Sequence, residues 1–200
     1  MKKSYLNKDF AALILAAGSS GRMGAPKLSL PFSDGQSFIG QCVSRFLAFG
    51  CQKAGVVVNE EGAAYIRDNK ENFPPQMIPI LNPHPEKGRL YSIKTGIAAL
   101  QHDGPLFIHN VDNPFVHPAT LKALSSAFTG NHCVCPQYQG RGGHPVLIPE
   151  KVSRELLREE NPDMSLKEFL QTQKVLLLEV DQPEVLININ TPEEYRRWFS

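Results

Sequence analysis

The chain has 200 residues, of which 42% are hydrophobic and 20% charged, and these ordinary globular values exclude disordered, collagen-like and disulfide-scaffold proteins. The 21 basic and 20 acidic side chains leave a formal net charge of +1, which argues against nucleic-acid and membrane-surface binding. We therefore expect small-molecule partners, with no nucleic acid and no membrane, and one domain that covers residues 1–200.

Short apolar runs alternate with segments of helical spacing along the chain. Eight apolar runs predict strands: 10–16, 54–58, 77–81, 105–109, 133–136, 145–148, 175–180 and 185–189. Apolar stripes at helical spacing predict helices over 39–49, 90–100 and 121–128. Two capping-box patterns, Ser165 with Glu168 and Thr191 with Glu194, predict two further helix starts.

The early strands are apolar on both faces, which is typical of a mostly parallel sheet that helices cover on both sides. Repeated strand–helix–strand units therefore predict an α/β fold of three layers with a doubly wound, mostly parallel sheet. Ligands of such sheets bind beyond the carboxyl ends of the strands. We expect the loops 17–31, 82–89 and 110–115 and the segment 188–191 to surround one cleft.

The longest apolar stretch, residues 10–17, is shorter than the ~20 residues needed to cross a bilayer. It is similar to the core of a signal peptide, but cleavage after it would delete the first predicted strand, so we expect a cytoplasmic protein. The cysteines show no C-x-x-C pair and no zinc-type spacing with histidine, which predicts buried free thiols. These residues are Cys42, Cys51, Cys133 and Cys135.

The loop after the first strand matches neither the dinucleotide motif G-x-G-x-x-G nor the P-loop motif. Its glycines are Gly18, Gly21 and Gly24. Small residues allow close approach of the backbone to a ligand, and consecutive N–H groups bind anions. Together with the cations of Arg22 and Lys27, they favour a triphosphate. A flexible surface loop with two solvated charges is the alternative.

Residues 15–27 read Leu-Ala-Ala-Gly-Ser-Ser-Gly-Arg-Met-Gly-Ala-Pro-Lys. This segment resembles the signature L-A-A-G-x-S-x-R-M-G-x-x-K of the MobA-like nucleotidyltransferases, which include molybdopterin cytidylyltransferase and molybdopterin guanylyltransferase. Further segments resemble the family's motifs in the same order, at 82–96, 111–114, 140–145 and 188–193. The resemblance implies a Rossmann-like fold of the nucleotide-diphospho-sugar transferase type and an enzyme of molybdenum cofactor biosynthesis.

The resemblance also implies the roles of individual residues. Arg22, Lys27 and Asp112 are expected to be catalytic, and Asp112 and Asn190 are expected to hold Mg²⁺. The implied nucleotide and cofactor contacts are Ala16, Ala17, Gly18, Ser19, Gly21, Arg22, Lys27, Gly88, Ser92, Arg141 and His144. Taken alone, Asp112 and Asn190 are also typical turn residues.

The implied reaction is attack by an acceptor oxygen on the α-phosphorus of a nucleoside triphosphate, with pyrophosphate leaving. A phosphate monoester has a second pKa near ~6, so at neutral pH it is already a nucleophilic anion and needs no protein base. The enzyme then has to align the two phosphates and neutralise their repulsion through Mg²⁺, Arg and Lys side chains.

Two features point to different nucleotides. Ala16, Ala17 and Gly18 resemble the cytidylyltransferase branch and favour CTP, because the Ala17 methyl group narrows the room for a purine. Asn188 and Asn190 resemble the guanylyltransferase branch instead, which leaves GTP as the alternative.

Phosphorylated molybdopterin is the favoured acceptor, and a molybdoenzyme that receives the product is a further partner that the resemblance implies. Arg141 and His144 lie in a Gly-rich candidate flap, 137–144, and are expected to contact the acceptor. A hairpin in which His144 caps a turn is the alternative. Gly142 stands where the family more often has a second arginine, so a less charged acceptor stays open. Transfer to a sugar or polyol phosphate and a non-catalytic nucleotide-binding module are the competing functions.

Overall fold

The computed structural model of the protein describes residues 9–18, 26–32 and 35–199. These ranges contain eight β-strands and seven α-helices. The strands are β1 (Ala11–Ala16), β2 (Lys53–Val58), β3 (Met77–Leu81), β4 (Leu106–Asn110), β5 (Cys133–Tyr138), β6 (Arg141–Gly142), β7 (Val146–Ile148) and β8 (Val175–Glu179). The helices are α1 (Phe38–Phe49), α2 (Glu60–Asp68), α3 (Gly88–Leu100), α4 (Pro118–Ala127), α5 (Glu150–Arg158), α6 (Leu166–Gln171) and α7 (Pro192–Phe199).

All eight strands belong to one sheet with the order β3-β2-β1-β4-β7-β5-β6, and β8 pairs with β5. Strands β1 to β4 are mutually parallel where they pair. Strand β7 runs antiparallel to β4 and β5, and β8 runs parallel to β5. The predicted α/β fold with a mostly parallel sheet is confirmed.

The core lies on both faces of the sheet because side chains alternate between the faces along each strand. In β1, Ala12 and Ile14 pack in one apolar cluster with residues of α1 and α4. Leu13 and Leu15 pack in a second cluster with residues of α3 and α5. The amino-terminal apolar run 10–17 therefore forms a central strand that helices cover on both sides.

The ends of the helices follow local capping chemistry. Gly50, at φ 109°, adopts the left-handed conformation that ends α1. The Ser165–Glu168 capping box is present, and Thr191 and Glu194 exchange the same pair of hydrogen bonds, at 3.1 and 3.2 Å. Both helix starts predicted from these motifs are confirmed.

The predicted strand 185–189 is wrong. A 3-10 helix covers Pro183–Leu186, and the chain then continues irregularly to α7. The segment is apolar because Val185 and Ile189 are buried. Its backbone is satisfied by the loop after β4 rather than by a strand, since the Asn113 side chain donates to the carbonyl oxygens of residues 184 and 185.

The four cysteines are free and buried, as predicted. The sequence patterns gave no prediction for α2, α5 or the two-residue strand β6. None of the helices in the described ranges combines the length and the apolar character that crossing a bilayer requires.

Candidate functional site

The carboxyl ends of the neighbouring strands β1 and β4 border a cavity of about 330 Å³, as bounded by the described residues. We call it the first cavity. The lining residues are Leu15, Ala16, Ala17, Gly18, Lys27, Pro85, Gly88, Arg89, Ser92, Asn110, Val111 and Asp112. The described residues of the loops predicted to share a cleft, 17–31, 82–89 and 110–115, therefore meet here.

Asp112 follows β4 and is half-buried in the first cavity. Its Oδ1 atom is buried and has no hydrogen-bond partner among the described residues. Burial raises the pKa of Asp112, and the positive charges of Lys27 and Arg89 oppose that rise. A buried carboxylate oxygen that receives no hydrogen bond is chemically suited to bind a cation.

The fourth predicted segment, 188–191, joins the cleft through two hydrogen bonds. Lys27 Nζ donates to Asn190 Oδ1 at 2.6 Å. The Ile189 N–H donates to the backbone oxygen of Asp112 at 2.7 Å. These bonds bring together Lys27, Asp112 and Asn190, to which the family resemblance assigns catalysis and metal binding.

The residues present fit a Mg²⁺ site that a nucleotide completes. Asp112 offers the unpartnered carboxylate oxygen, and the amide oxygen of Asn190 has a second lone pair besides the one that Lys27 uses. No cluster of three or more His, Cys, Asp or Glu side chains suited to a metal occurs in the described part of the chain. Mg²⁺ commonly takes one or two protein ligands together with substrate phosphates and water.

Gly88 and Ser92 lie together at the start of α3. Ser92 is buried, and its Oγ accepts a hydrogen bond of 2.9 Å from Asn82 Nδ2 and donates one of 3.3 Å to the Gly88 carbonyl. Gly88 has a φ of 86°, a conformation that favours glycine. The Ser92 hydroxyl therefore holds the loop 82–88 against the helix.

The residues assigned to the loop after β1 divide into two groups. Ala16 and Ala17 are buried and Gly18 is exposed, and all three line the first cavity. The other predicted contacts of this loop lie outside the described residues, and they are Ser19, Gly21 and Arg22.

A second cavity, of about 1080 Å³, adjoins the first. Gly88 and Arg89 line both cavities, and Arg141 and His144 line the second. Segment 137–144 contains the turn of the β5–β6 hairpin, which has positive φ at Gln139 and Gly140. A Gly-rich hairpin is present and Arg141 is exposed, but the His144 side chain contacts Arg89 and Asn110 instead of capping the turn.

The sequence analysis missed Arg89 and Asn110, which form a network with His144. Arg89 Nη2 donates to Asn110 Oδ1 at 2.5 Å and lies 3.3 Å from His144 Nε2, which is also 3.0 Å from Asn110 Nδ2. Both neighbours of Nε2 are donors only, so Nε2 accepts and the imidazole is neutral. Burial, together with the charges of Arg89 and His109, lowers the pKa of His144 to about 3. His144 thus contacts Arg89 and Asn110.

Taken together, these features place a carboxylate, cations and a glycine-containing loop at the carboxyl ends of parallel strands. This arrangement is typical of α/β enzymes that bind nucleotides. The chain belongs to the family of the MobA-like NTP transferase domain, whose sequence model matches residues 12–176.

A curated relative agrees with this assignment, and solved structures share the fold. The molybdenum cofactor cytidylyltransferase of Escherichia coli K12 is 24% identical over 92% of each chain. Rv0371c of Mycobacterium tuberculosis H37Rv superposes with a TM-score of 0.81 at 24% identity, over 96% of this chain and 97% of that one. A manganese complex of Rv0371c superposes with a TM-score of 0.74 at 20% identity, over 95% and 97% of the two chains. The protein is a nucleotidyltransferase related to molybdenum cofactor cytidylyltransferase, as the sequence resemblance predicted.

Proposed function

We propose that the protein is a Mg²⁺-dependent enzyme that transfers CMP from CTP to a phosphorylated acceptor of the molybdopterin class and releases pyrophosphate. One observation carries this proposal: Asp112 and Lys27 line the same cavity, and the buried Oδ1 of Asp112 has no hydrogen-bond partner among the described residues. A carboxylate and a lysine side by side in such a cavity suit a bound cation and a polyphosphate.

In this proposal the triphosphate lies next to Gly18 and Lys27, which both line the first cavity. Gly18 is exposed on the cavity and lets the backbone approach a phosphate closely. Lys27 adds a positive charge, and its bond to Asn190 Oδ1 orients the ammonium group. Lys27 therefore offsets part of the negative charge of the triphosphate.

Asp112 and Asn190 would hold Mg²⁺ through one carboxylate and one amide oxygen. When bound, the ion neutralises phosphate charge and acts as a Lewis acid toward the phosphoryl oxygens. The manganese complex of the Mycobacterium tuberculosis relative supports a divalent cation in this fold.

In the proposed reaction, an oxygen of the acceptor phosphate forms a bond to the α-phosphorus. The bond between the α-phosphorus and the oxygen bridging it to the β-phosphorus breaks, and pyrophosphate leaves. The acceptor monoester is an anion at neutral pH, so the protein needs no general base. His144 is not assigned as a base in this scheme, because its Nε2 atom already accepts hydrogen bonds from Arg89 and Asn110.

CTP is the proposed nucleotide because buried Ala17 puts a methyl group in the lining of the first cavity, which leaves less room for a purine. GTP is the second candidate, and the asparagines at 188 and 190 favour it. The second cavity, of about 1080 Å³, is large enough to receive an acceptor of pterin size.

The proposal is tested by release of pyrophosphate from each of the four common nucleoside triphosphates with Mg²⁺. Each is combined with molybdopterin, with a sugar phosphate or with no acceptor, and the products are identified by mass spectrometry. We expect release with CTP and molybdopterin, at least about tenfold faster than with GTP. A preference for GTP would overturn the nucleotide assignment, and release only with a sugar phosphate would overturn the acceptor. The absence of release with every pair would contradict the proposed function.

A further inference from the structure

Arg89 occupies the boundary between the two cavities and lines both of them. Its positive charge also acts on the carboxyl group of Asp112, the proposed metal ligand. A side chain at this position can contact ligands in both cavities.

The second cavity carries an excess of positive charge, although the whole chain has a formal net charge of only +1. Its lining from the described residues contains one acidic side chain, Asp163, and four basic ones, Lys87, Arg89, Arg141 and Lys167. Clefts lined by one sign of charge attract ligands of the opposite sign. The cavity therefore favours an anionic occupant.

Hydrogen bonds from a single nitrogen, Nη2, hold the guanidinium group of Arg89. Its Nη2 atom donates to Asn110 Oδ1 at 2.5 Å and to His144 Nε2 at 3.3 Å. The backbone N–H of His144 donates to the Val185 carbonyl at 3.0 Å, which holds the main chain of His144 in place. A buried amide and a neutral imidazole thus set the direction of the guanidinium group without neutralising it.

The hydrogen bonds of Nη2 leave most of the Arg89 guanidinium group available. A guanidinium has five N–H donors, and the two bonds engage the two on Nη2. The three N–H groups on Nη1 and Nε make no hydrogen bond with the described residues. A planar guanidinium with several spare donors suits the oxygens of a phosphoryl group.

We propose that Arg89 binds the phosphoryl group of the acceptor at the boundary of the two cavities, and that Asn110 and His144 are its positioning residues. This inference rests on the proposed function, and it assigns the acceptor to the phosphate monoesters. Arg89 then holds the attacking phosphate beside the α-phosphate and offsets the repulsion between the two anions. The reaction itself is unchanged, since Arg89 exchanges no proton with the substrates.

The test uses inorganic phosphate as the probe, because its binding needs no turnover. The full-length protein is saturated with Mg²⁺ and α,β-methylene-CTP, an analogue that cannot transfer CMP, and is then titrated with phosphate by calorimetry. The variants are Arg89→Met, Arg89→Lys and Asn110→Leu. Arg67→Met is the matched control, since Arg67 lies on α2 outside both cavities and pairs with its neighbour Asp68.

We expect Arg89→Met to weaken phosphate binding at least about tenfold, in line with the loss of a charge-assisted hydrogen bond. Arg89→Lys should recover part of the affinity, because it keeps the charge but not the planar fork. Asn110→Leu should weaken phosphate binding to a smaller extent than Arg89→Met. Although Arg89 also lines the first cavity, Arg89→Met should weaken binding of the analogue much less than binding of phosphate, a separation that a general loss of structure would not produce.

Unchanged phosphate affinity in Arg89→Met, or no phosphate binding by the parent protein, would overturn the assignment. An equal loss of analogue and phosphate affinity would place Arg89 on the nucleotide and would overturn it as well. The same titration without nucleotide separates this inference from the proposed function. Failure of the analogue to bind contradicts nucleotidyl transfer from CTP, while a phosphate site that Arg89→Met removes still supports the Arg89 assignment.

Discussion

Lys27 and Asn190 are 163 positions apart in sequence, yet Lys27 Nζ donates a hydrogen bond of 2.6 Å to Asn190 Oδ1. The bond joins the loop after β1 to the segment that enters α7. Helix α7 reinforces this connection, because Tyr195 donates its hydroxyl hydrogen to the Pro31 carbonyl and Phe199 packs against Phe32. The packing of the last helix therefore keeps Lys27, the proposed contact to the triphosphate, beside Asn190, a proposed metal ligand.

This relationship predicts that Lys27 and Asn190 act as one unit. We expect Lys27→Met to lower kcat/KM by about 10²–10³-fold and Asn190→Ala by about 10–10²-fold, since each removes charge neutralisation or a metal contact. The double variant should lose less than the product of the two single losses, because each single change already disrupts the shared contact. Steady-state kinetics of the parent, the two single variants and the double variant measures the coupling. If the loss of kcat/KM in the double variant equals the product of the two single losses, the two side chains act independently.

Asp112→Asn should lower kcat at least about 10³-fold, because the amide keeps the shape of the side chain but removes the charge that binds the cation. The free energy of unfolding should not fall, since burial already disfavours the charged form and raises the pKa of Asp112. Asp103→Asn is the matched control, because the Asp103 side chain is 90% exposed. A variant of Asp112 with parental turnover would remove this carboxylate from the mechanism.

Substitution of two buried serines tests how much the Ser92–Asn82 hydrogen bond stabilises the loop 82–88, with Ser153 as the control. In Ser92→Ala, the buried amide of Asn82 loses its acceptor, so we expect a cost of about 1–3 kcal/mol in the free energy of unfolding. Ser153→Ala should cost less than about 0.5 kcal/mol, because the buried Ser153 Oγ has no hydrogen-bond partner in the described part of the chain. Urea unfolding of both variants decides the matter, and equal losses would show that the Ser92–Asn82 bond does not stabilise the loop.

Much of the fold follows from short-range patterns in the sequence. The run at 77–81 is apolar enough to predict β3 with the bounds that the structure has, and Gly50 marks the end of α1. The segment 185–189 has the same apolar character, but its long-range backbone hydrogen bonds go to Asp112 and His144 and not to a neighbouring strand. Hydrophobicity reports burial and not the hydrogen-bond partner, so the two cases look alike in sequence.

The candidate site was only partly predictable. The family resemblance assigns Asp112 and Asn190 to the site, and the local sequence shows only that Asp112 follows an apolar strand and that Asn190 precedes a capped helix. Arg89 lies inside another such motif, at 82–96, but its role depends on Asn110 and His144, which come from β4 and from the segment after the β5–β6 hairpin. Such a network requires the tertiary arrangement, which no local spacing encodes.

Buried His109 predicts how stability depends on pH. It is fully buried, its Nε2 donates to the Asn113 carbonyl at 2.6 Å, and burial lowers its pKa from 6.5 to about 4. The unfolded chain therefore binds more protons than the folded one between about pH 4 and 6.5. The free energy of unfolding should fall as the pH is lowered through this window, by on the order of 3 kcal/mol from this residue.

His109→Gln keeps a side-chain donor but cannot titrate, so the difference in unfolding free energy between the parent and this variant should itself change with pH. Urea unfolding at pH 7 and pH 4.5 measures that difference. The parent should lose more stability on acidification than the variant. Identical pH dependence in the two proteins would mean that His109 has the same pKa in the folded and the unfolded state.

The central claim is that Asp112 and Asn190 bind a divalent cation together with the phosphates of a nucleoside triphosphate. Anomalous diffraction from crystals grown with Mn²⁺ and α,β-methylene-CTP locates the cation without reference to activity. We expect an anomalous peak about 2.1–2.3 Å from a carboxylate oxygen of Asp112, in contact with the polyphosphate next to Gly18 and Lys27. A polyphosphate bound elsewhere, or a cation that touches neither side chain, would contradict the account.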